Sequence, residues 1–249
     1  MYSSWLAGCF SIMSLKTENR VSHPWRDAAL PLLTGGFMLA ALIMIFFVVP
    51  NEKVQGVTQR IFYFHIHLAW MAFGGFAFVA IASAWYLKTG SARADQLALA
   101  NAEVGLLFTT LVLVTGSIWA RPIWGVWWTW DPRLTMSVVL WSVYAAYIML
   151  RRLGRGDEMI TRYAAVLGIV GVLNIPILVL AIRLWRGVHP AVVISEDPEA
   201  GLKDPTMIWT LIIAGVAMAL LFTWLVSLRA RFAAIDDELE TLHLEGESR

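Results

Sequence analysis

The sequence is poor in charge and nearly devoid of cysteine. Only 15% of its 249 residues are charged, against about 25% in an ordinary soluble domain. A formal net charge of +1 leaves no basic excess, so there is no nucleic-acid footprint. The single cysteine, Cys9, permits no internal disulfide, no zinc cluster and no CxxCH site for covalent haem attachment. Leu6-Ala7-Gly8-Cys9 has the outline of a lipoprotein box. However, the five residues before it hold no positive charge and no apolar run, which a signal peptide requires. Cys9 therefore reads as a free cytoplasmic thiol. GxxxxGK[ST], GxSxG and HExxH are also missing, so the expectation is a carrier rather than an enzyme. Any ATP-driven step would belong to a separate subunit.

What is present is apolar surface. Apolar residues make up 59% of the chain and the mean hydropathy is +0.66, more than a soluble globule of this size can bury. A spanning helix needs about 20 mostly apolar residues. Six stretches qualify, at 28–49, 61–87, 97–120, 134–150, 163–184 and 207–228. The expected fold is an all-α integral membrane protein, a bundle of six transmembrane helices in contact with membrane lipid. Residues 1–27 precede this 28–228 membrane domain and a tail, 229–249, follows it. Ile235, Leu239 and Leu242 give the tail the spacing of a short amphipathic helix. Of the Lys and Arg residues, 12 fall in the amino end, the even-numbered loops and the tail, and 7 in the odd-numbered loops. Positive residues favour the cytoplasmic side, so both termini are expected there, with the odd-numbered loops outside.

Thirteen tryptophans are the compositional oddity, and five of them lie between Trp119 and Trp130. They surround the third connection, about 120–135, on the expected outer side. An aromatic belt at the membrane boundary explains one or two indoles per helix end. It does not explain Trp124, Trp127, Trp128 and Trp130 beside Gly125, Asp131 and Arg133. Clustered indoles make a flat polarizable surface that can stack on a planar macrocycle or pack a partner's apolar face. Arg121 and Arg133 flank it and can pair with carboxylates. Asp131 can hold Arg133 or cap the helix that begins near Leu134.

Of five histidines, His23 and His243 fall in expected cytoplasmic segments. His65 and His67 open the second span, and His189 follows the fifth, all at the outer face. Two helical positions differ by about 200° in direction, so His65 and His67 do not share a ligand. Imidazole is a good iron ligand, and two imidazoles can approach a metal from opposite sides. Asn101, Glu103 and the kink expected at Asn174-Ile175-Pro176 read as structural. Glu196, Asp197, Glu199 and Asp204 form an acidic stretch suited to a basic partner.

Trp124-Gly125-Val126-Trp127-Trp128-Thr129-Trp130-Asp131-Pro132-Arg133-Leu134-Thr135 resembles the WWD signature of haem-handling proteins of cytochrome c biogenesis. With six expected spans, the chain is most similar to the CcmC, or haem exporter protein C, family. Arg60-Ile61-Phe62-Tyr63-Phe64-His65 is similar to the family's first histidine segment, and Val114-Thr115-Gly116-Ser117-Ile118-Trp119 to its lead into the signature. Gly171-Val172-Leu173-Asn174-Ile175-Pro176 resembles its fifth helix. Ile182-Arg183-Leu184-Trp185-Arg186-Gly187-Val188-His189 resembles the segment that carries its second histidine. His67 and Pro132 depart from the pattern, and the resemblance gives His67 no ligand role.

The resemblance implies binding of haem b at the outer face of a bacterial inner membrane and its presentation to the haem chaperone CcmE. It implies CcmA, CcmB and CcmD as associated subunits. His65 and His189 would be the axial ligands of iron. Trp124, Trp127, Trp128, Trp130 and Asp131 would form the haem and chaperone platform, with Arg121 or Arg133 at the propionates. A haem b electron-transfer subunit would place histidine pairs deeper in the bilayer, and a larger cytochrome c synthase would need further helices. A structural adaptor without haem is the third alternative.

Overall fold

The structure, a computed structural model, describes residues 24–154, 156–185 and 201–247. The described residues are helical apart from short connections and an isolated bridge between Glu52 and Gly56. In chain order the α-helices are α1 (Pro24–Ile43), α2 (Arg60–Thr89), α3 (Ala92–Trp124), α4 (Pro132–Leu153), α5 (Glu158–Val172), α6 (Asn174–Trp185) and α7 (Pro205–Glu247). They provide six segments long and apolar enough to cross a membrane: Ala28–Val48, Val57–Thr89, Ala92–Trp124, Pro132–Leu153, Glu158–Ala181 and Pro205–Ala233. All six expected spans are therefore present in an all-helical multi-pass fold.

Local chemistry sets the boundaries. α3 starts at Ser91, whose hydroxyl accepts from Ala94 N–H, and stops at Gly125, which has φ +76°. A left-handed residue after a helix favours glycine because any Cβ is strained there. α4 starts at Asp131, whose Oδ1 accepts the Leu134 N–H at 2.8 Å, with Pro132 in the first turn. Before α7, Asp204 accepts from the Thr206 N–H at 2.7 Å and hydroxyl at 2.6 Å. Those bonds hold its carboxyl below the usual carboxylate range. The fifth span divides at Leu173, between α5 and α6. Pro176 has no N–H for the Val172 carbonyl four residues earlier, so a continuous helix would lose that bond. The expected kink is thus a break. The tail differs from expectation: α7 runs unbroken past Leu228, because residues 229–245 contain neither glycine nor proline. At 1.5 Å per residue it is about 65 Å long, twice the hydrocarbon thickness.

The bundle packs around aromatic rings in its middle. Phe76 of α2 stacks on Tyr144 of α4 with centroids 3.6 Å apart and planes 7° from parallel. Tyr144 donates its hydroxyl proton to the Gly168 carbonyl at 3.1 Å. Phe76 lies so close to α3 that a Cβ on Gly105 would meet its ring at 2.7 Å. Phe108 meets Phe222 of α7 edge to face, at 5.2 Å. With no hydrophobic drive between helices in lipid, such close packing supplies most of the association energy.

One end of the bundle is fastened by charge. Arg229 of α7 and Arg152 of α4 both pair with Glu103 of α3, and Arg151 pairs with Asp95. Arg151 also donates to Thr161 Oγ1 of α5 at 2.5 Å. These side chains line a cavity of about 690 Å³ at the end where α2 stops and α3 begins. Asn101 donates to its own helix, at the Leu97 carbonyl 2.8 Å away. The structural role read for Glu103 and Asn101 is what the contacts display. Glu103→Ala should leave two arginines without their carboxylate and destabilise the bundle by about 1–3 kcal/mol, between the exposed and buried limits for ion pairs. Thermal unfolding in detergent measures this, and an unchanged midpoint would contradict it.

Candidate functional site

The opposite end carries the indoles. Here α2 begins, α3 ends and α4 begins, so three spans and the connection 125–131 meet. His65 lies in the second turn of α2, partly exposed, with its ring against α3. Its Nδ1 is 3.0 Å from Thr115 Oγ1. Trp119 meets the imidazole edge to face, with centroids 5.6 Å apart. A Cβ on Gly116 would stand 3.1 Å from His65 Cε1, so a side chain there would push the ring from the helix.

Two small cavities adjoin this ring. One of about 30 Å³ is lined by His65, Gly116, Trp119, Trp124 and Leu134 among others. The other, of about 40 Å³, brings Trp128, Arg133 and Ser137 to the same histidine. His65 of α2 is thereby flanked by Trp119 and Trp124 on one cavity and by Trp128 and Arg133 on the other, all four from the 119–133 stretch.

The tryptophans divide into two sets. Trp124 and Trp128 are partly buried and turned toward His65, whereas Trp127 is 60% exposed and Trp130 is 75% exposed. Trp128 and Trp130 meet edge to face at 5.7 Å, joining the inner wall to the outer surface. Asp131 caps α4 through Oδ1, one of the two roles its sequence position allowed, and its charge also acts on Arg133, the other. Its Oδ2, Trp128 Nε1 and Thr129 Oγ1 are buried and have no hydrogen-bond partner among the described residues.

The two flanking arginines part company. Arg133, partly buried, lines the Trp128 cavity. Arg121 is exposed, lines neither His65 cavity, and donates to the Gly125 carbonyl at the end of α3. Gly125 has open space around it, so its role within this chain is the left-handed turn rather than close approach. His67 is only 1% exposed and bonds the Tyr63 carbonyl through Nδ1 at 2.6 Å. Its Nε2 faces α7, where a Cβ on Gly215 would come within 3.0 Å. That is the divergence from His65 that helical rotation demands. His189 lies outside the described residues.

Thr115, Gly116 and Trp119 belong to the site but were not singled out as site residues from sequence. Trp119 also donates from Nε1 to Gln55 Oε1 at 3.1 Å, so the first connection closes over this end. Glu52 holds that connection in shape: its Oε2 accepts the Val54 N–H at 2.9 Å and its Oε1 the Gly201 N–H at 3.2 Å. A helical run ending at a tryptophan-rich turn was the available signal for Thr115. Which α2 residue it faces depends on helix pairing, which no local pattern encodes.

The sequence model of the family described as Heme exporter protein C matches residues 14–245. The Heme exporter protein C of Bradyrhizobium diazoefficiens is 34% identical over 203 residues, covering 81% of this chain and 74% of that protein. That of Escherichia coli K12 is 34% identical over 171 residues, 67% of this chain and 66% of the relative. That of Rhodobacter capsulatus is 30% identical over 219 residues, 87% and 88% of the two chains. A family match spanning all six transmembrane segments, over a bundle whose end gathers the histidine and tryptophans, establishes that the chain belongs to the Heme exporter protein C family.

Proposed function

We propose that this protein binds haem at the His65 end of its bundle, on the outer face of a bacterial inner membrane. From there it presents the haem to the chaperone CcmE during c-type cytochrome biogenesis, in association with CcmA, CcmB and CcmD. The observation that carries this reading is the gathering of Trp124, Trp128 and Arg133 beside His65. The relatives' name, heme exporter, supports the cargo. The bias of 12 positive residues against 7 supports an outward-facing site with both termini cytoplasmic.

Each residue then has a task. His65 supplies one axial nitrogen to the iron of haem b, and His189 supplies the other. Trp124 and Trp128 offer ring faces to the macrocycle, and Arg133 neutralises a propionate with its planar guanidinium. Arg121 is less suited to that task, because its guanidinium is engaged at the end of α3. The cavities beside His65, about 30 and 40 Å³, are far smaller than a macrocycle, so Trp124, Trp128 and Arg133 would hold it only if the site opened or the cargo sat at its surface. Trp127 and Trp130, both well exposed, form the surface on which the chaperone docks. The role is that of a carrier, with no bond-making step assigned to this chain.

The purified, haem-loaded protein should show a low-spin bis-histidine absorption spectrum, altered or lost in His65→Ala and in His189→Ala. A spectrum indifferent to both changes would remove the ligand assignment. The two sets of indoles should separate. Trp127→Ala with Trp130→Ala should leave the spectrum intact and reduce haem transfer to the chaperone, while Trp124→Ala with Trp128→Ala should disturb the spectrum itself. Equal effects of both pairs on both readouts would argue against inner and outer roles. Asp131→Asn keeps an α4 cap and should stay near wild-type stability, whereas Asp131→Ala should lose about 1 kcal/mol, measured by thermal unfolding.

A further inference from the structure

We infer that Thr115 is a positioning residue that fixes the tautomer of His65, keeping the ring proton on Nδ1 and the lone pair on Nε2. The inference deepens the haem-binding reading above and rests on it for its functional meaning, but its structural core stands on hydrogen-bond geometry. Thr115 Oγ1 lies 2.7 Å from the Leu111 carbonyl oxygen of its own helix and 3.3 Å from that of Val112. Two oxygens at 2.7 Å require a proton between them, and a carbonyl has none to give. The single hydroxyl proton of Thr115 is therefore committed to Leu111, a common arrangement for threonine inside helices. Oγ1 still approaches His65 Nδ1 at 3.0 Å and has only lone pairs left to offer there. The proton in that contact comes from the imidazole. In the opposite arrangement, with the hydroxyl donating to Nδ1, two unprotonated oxygens would stand 2.7 Å apart.

The surroundings hold the ring to this choice. Gly116, next in sequence, lets the imidazole lie flush against α3, and Trp119 covers its edge. His65 is thus held by three residues of α3 within five positions, one polar, one small and one aromatic. A histidine that ligates a metal through one nitrogen commonly donates its other N–H to an acceptor, which sets the tautomer and raises ligand basicity. Thr115 is that acceptor here. It lines neither cavity beside the ring, but a groove with Phe46, Arg60 and Phe64.

Two measurements test this, one without haem. In haem-free protein carrying ¹⁵N-histidine, the His65 signals, identified by their loss in His65→Ala, should report an Nδ1-protonated ring. They should do so again in Thr115→Ser and shift toward the Nε2-protonated form in Thr115→Val, which keeps the shape but removes the acceptor. An Nε2-protonated ring in the wild type, or no change in Thr115→Val, would overturn the inference whatever the cargo. With haem, Thr115→Val should weaken binding about 10- to 100-fold, the usual cost of losing such a partner. It should also raise the midpoint potential, with Thr115→Ser restoring both. Wild-type affinity and potential in Thr115→Val, beside a changed spectrum in His65→Ala, would refute the positioning role and leave the site standing. Indifference of the haem spectrum to His65→Ala would refute the haem-ligand reading itself.

Discussion

The close approach of α2 and α3 is the constraint on which the remainder depends. Phe76 fills the space above Gly105 near the middle of the seam, and His65 fills the space above Gly116 near its end. A side chain at Gly105 would meet the Phe76 ring at 2.7 Å, and one at Gly116 would press the imidazole out of its place beside Thr115 and Trp119. Helices in lipid associate through such close contact and through scarce polar pairings, because apolar surface has nothing to gain by leaving lipid tails. One packing arrangement therefore secures the fold and aims the histidine.

The two ends of the bundle use different chemistry. At one, three arginines and two carboxylates from α3, α4 and α7 pair with one another around a cavity of about 690 Å³. Its size alone would nominate it as the functional site, yet its charges are spent on each other and tie the helices together. At the other end the cavities beside His65 are small, and their otherwise mostly apolar lining includes one imidazole, three indoles and one guanidinium. Irregular backbone at 125–131 sits at this end of α3 and α4 because unpaired peptide groups are tolerated only away from hydrocarbon. Aromatic side chains are concentrated on this connection, which rigid helices hold, the setting in which binding residues are commonly found.

Some features were legible because they depend on neighbours in sequence. The six spans follow from apolar runs, and the limits of α3 and α4 follow from Ser91, Gly125, Asp131 and Pro132. Pro176 announced the interruption of the fifth span, and helical rotation already separated His67 from His65. Other features looked symmetrical in sequence and were not. Arg121 and Arg133 flank the indoles alike, yet one caps a helix and the other lines a cavity beside His65. Four tryptophans within seven residues looked like one platform, yet two face inward and two outward. The tail looked like a separate helix, but nothing in residues 229–245 stops α7.

Sequence by itself determined the membrane class, the number of crossings, the family signature and the candidate residues, since composition, hydropathy runs and motifs are properties of one chain segment at a time. Tertiary structure alone decided which of those residues meet. His65 and Thr115 are fifty positions apart, and their hydrogen bond exists only because α2 and α3 pack at that register. The tautomer of a histidine, the choice between two arginines and the division of the indoles are consequences of helix pairing. Helix pairing depends on side-chain shapes that fit across a seam, and no single segment contains both sides of it.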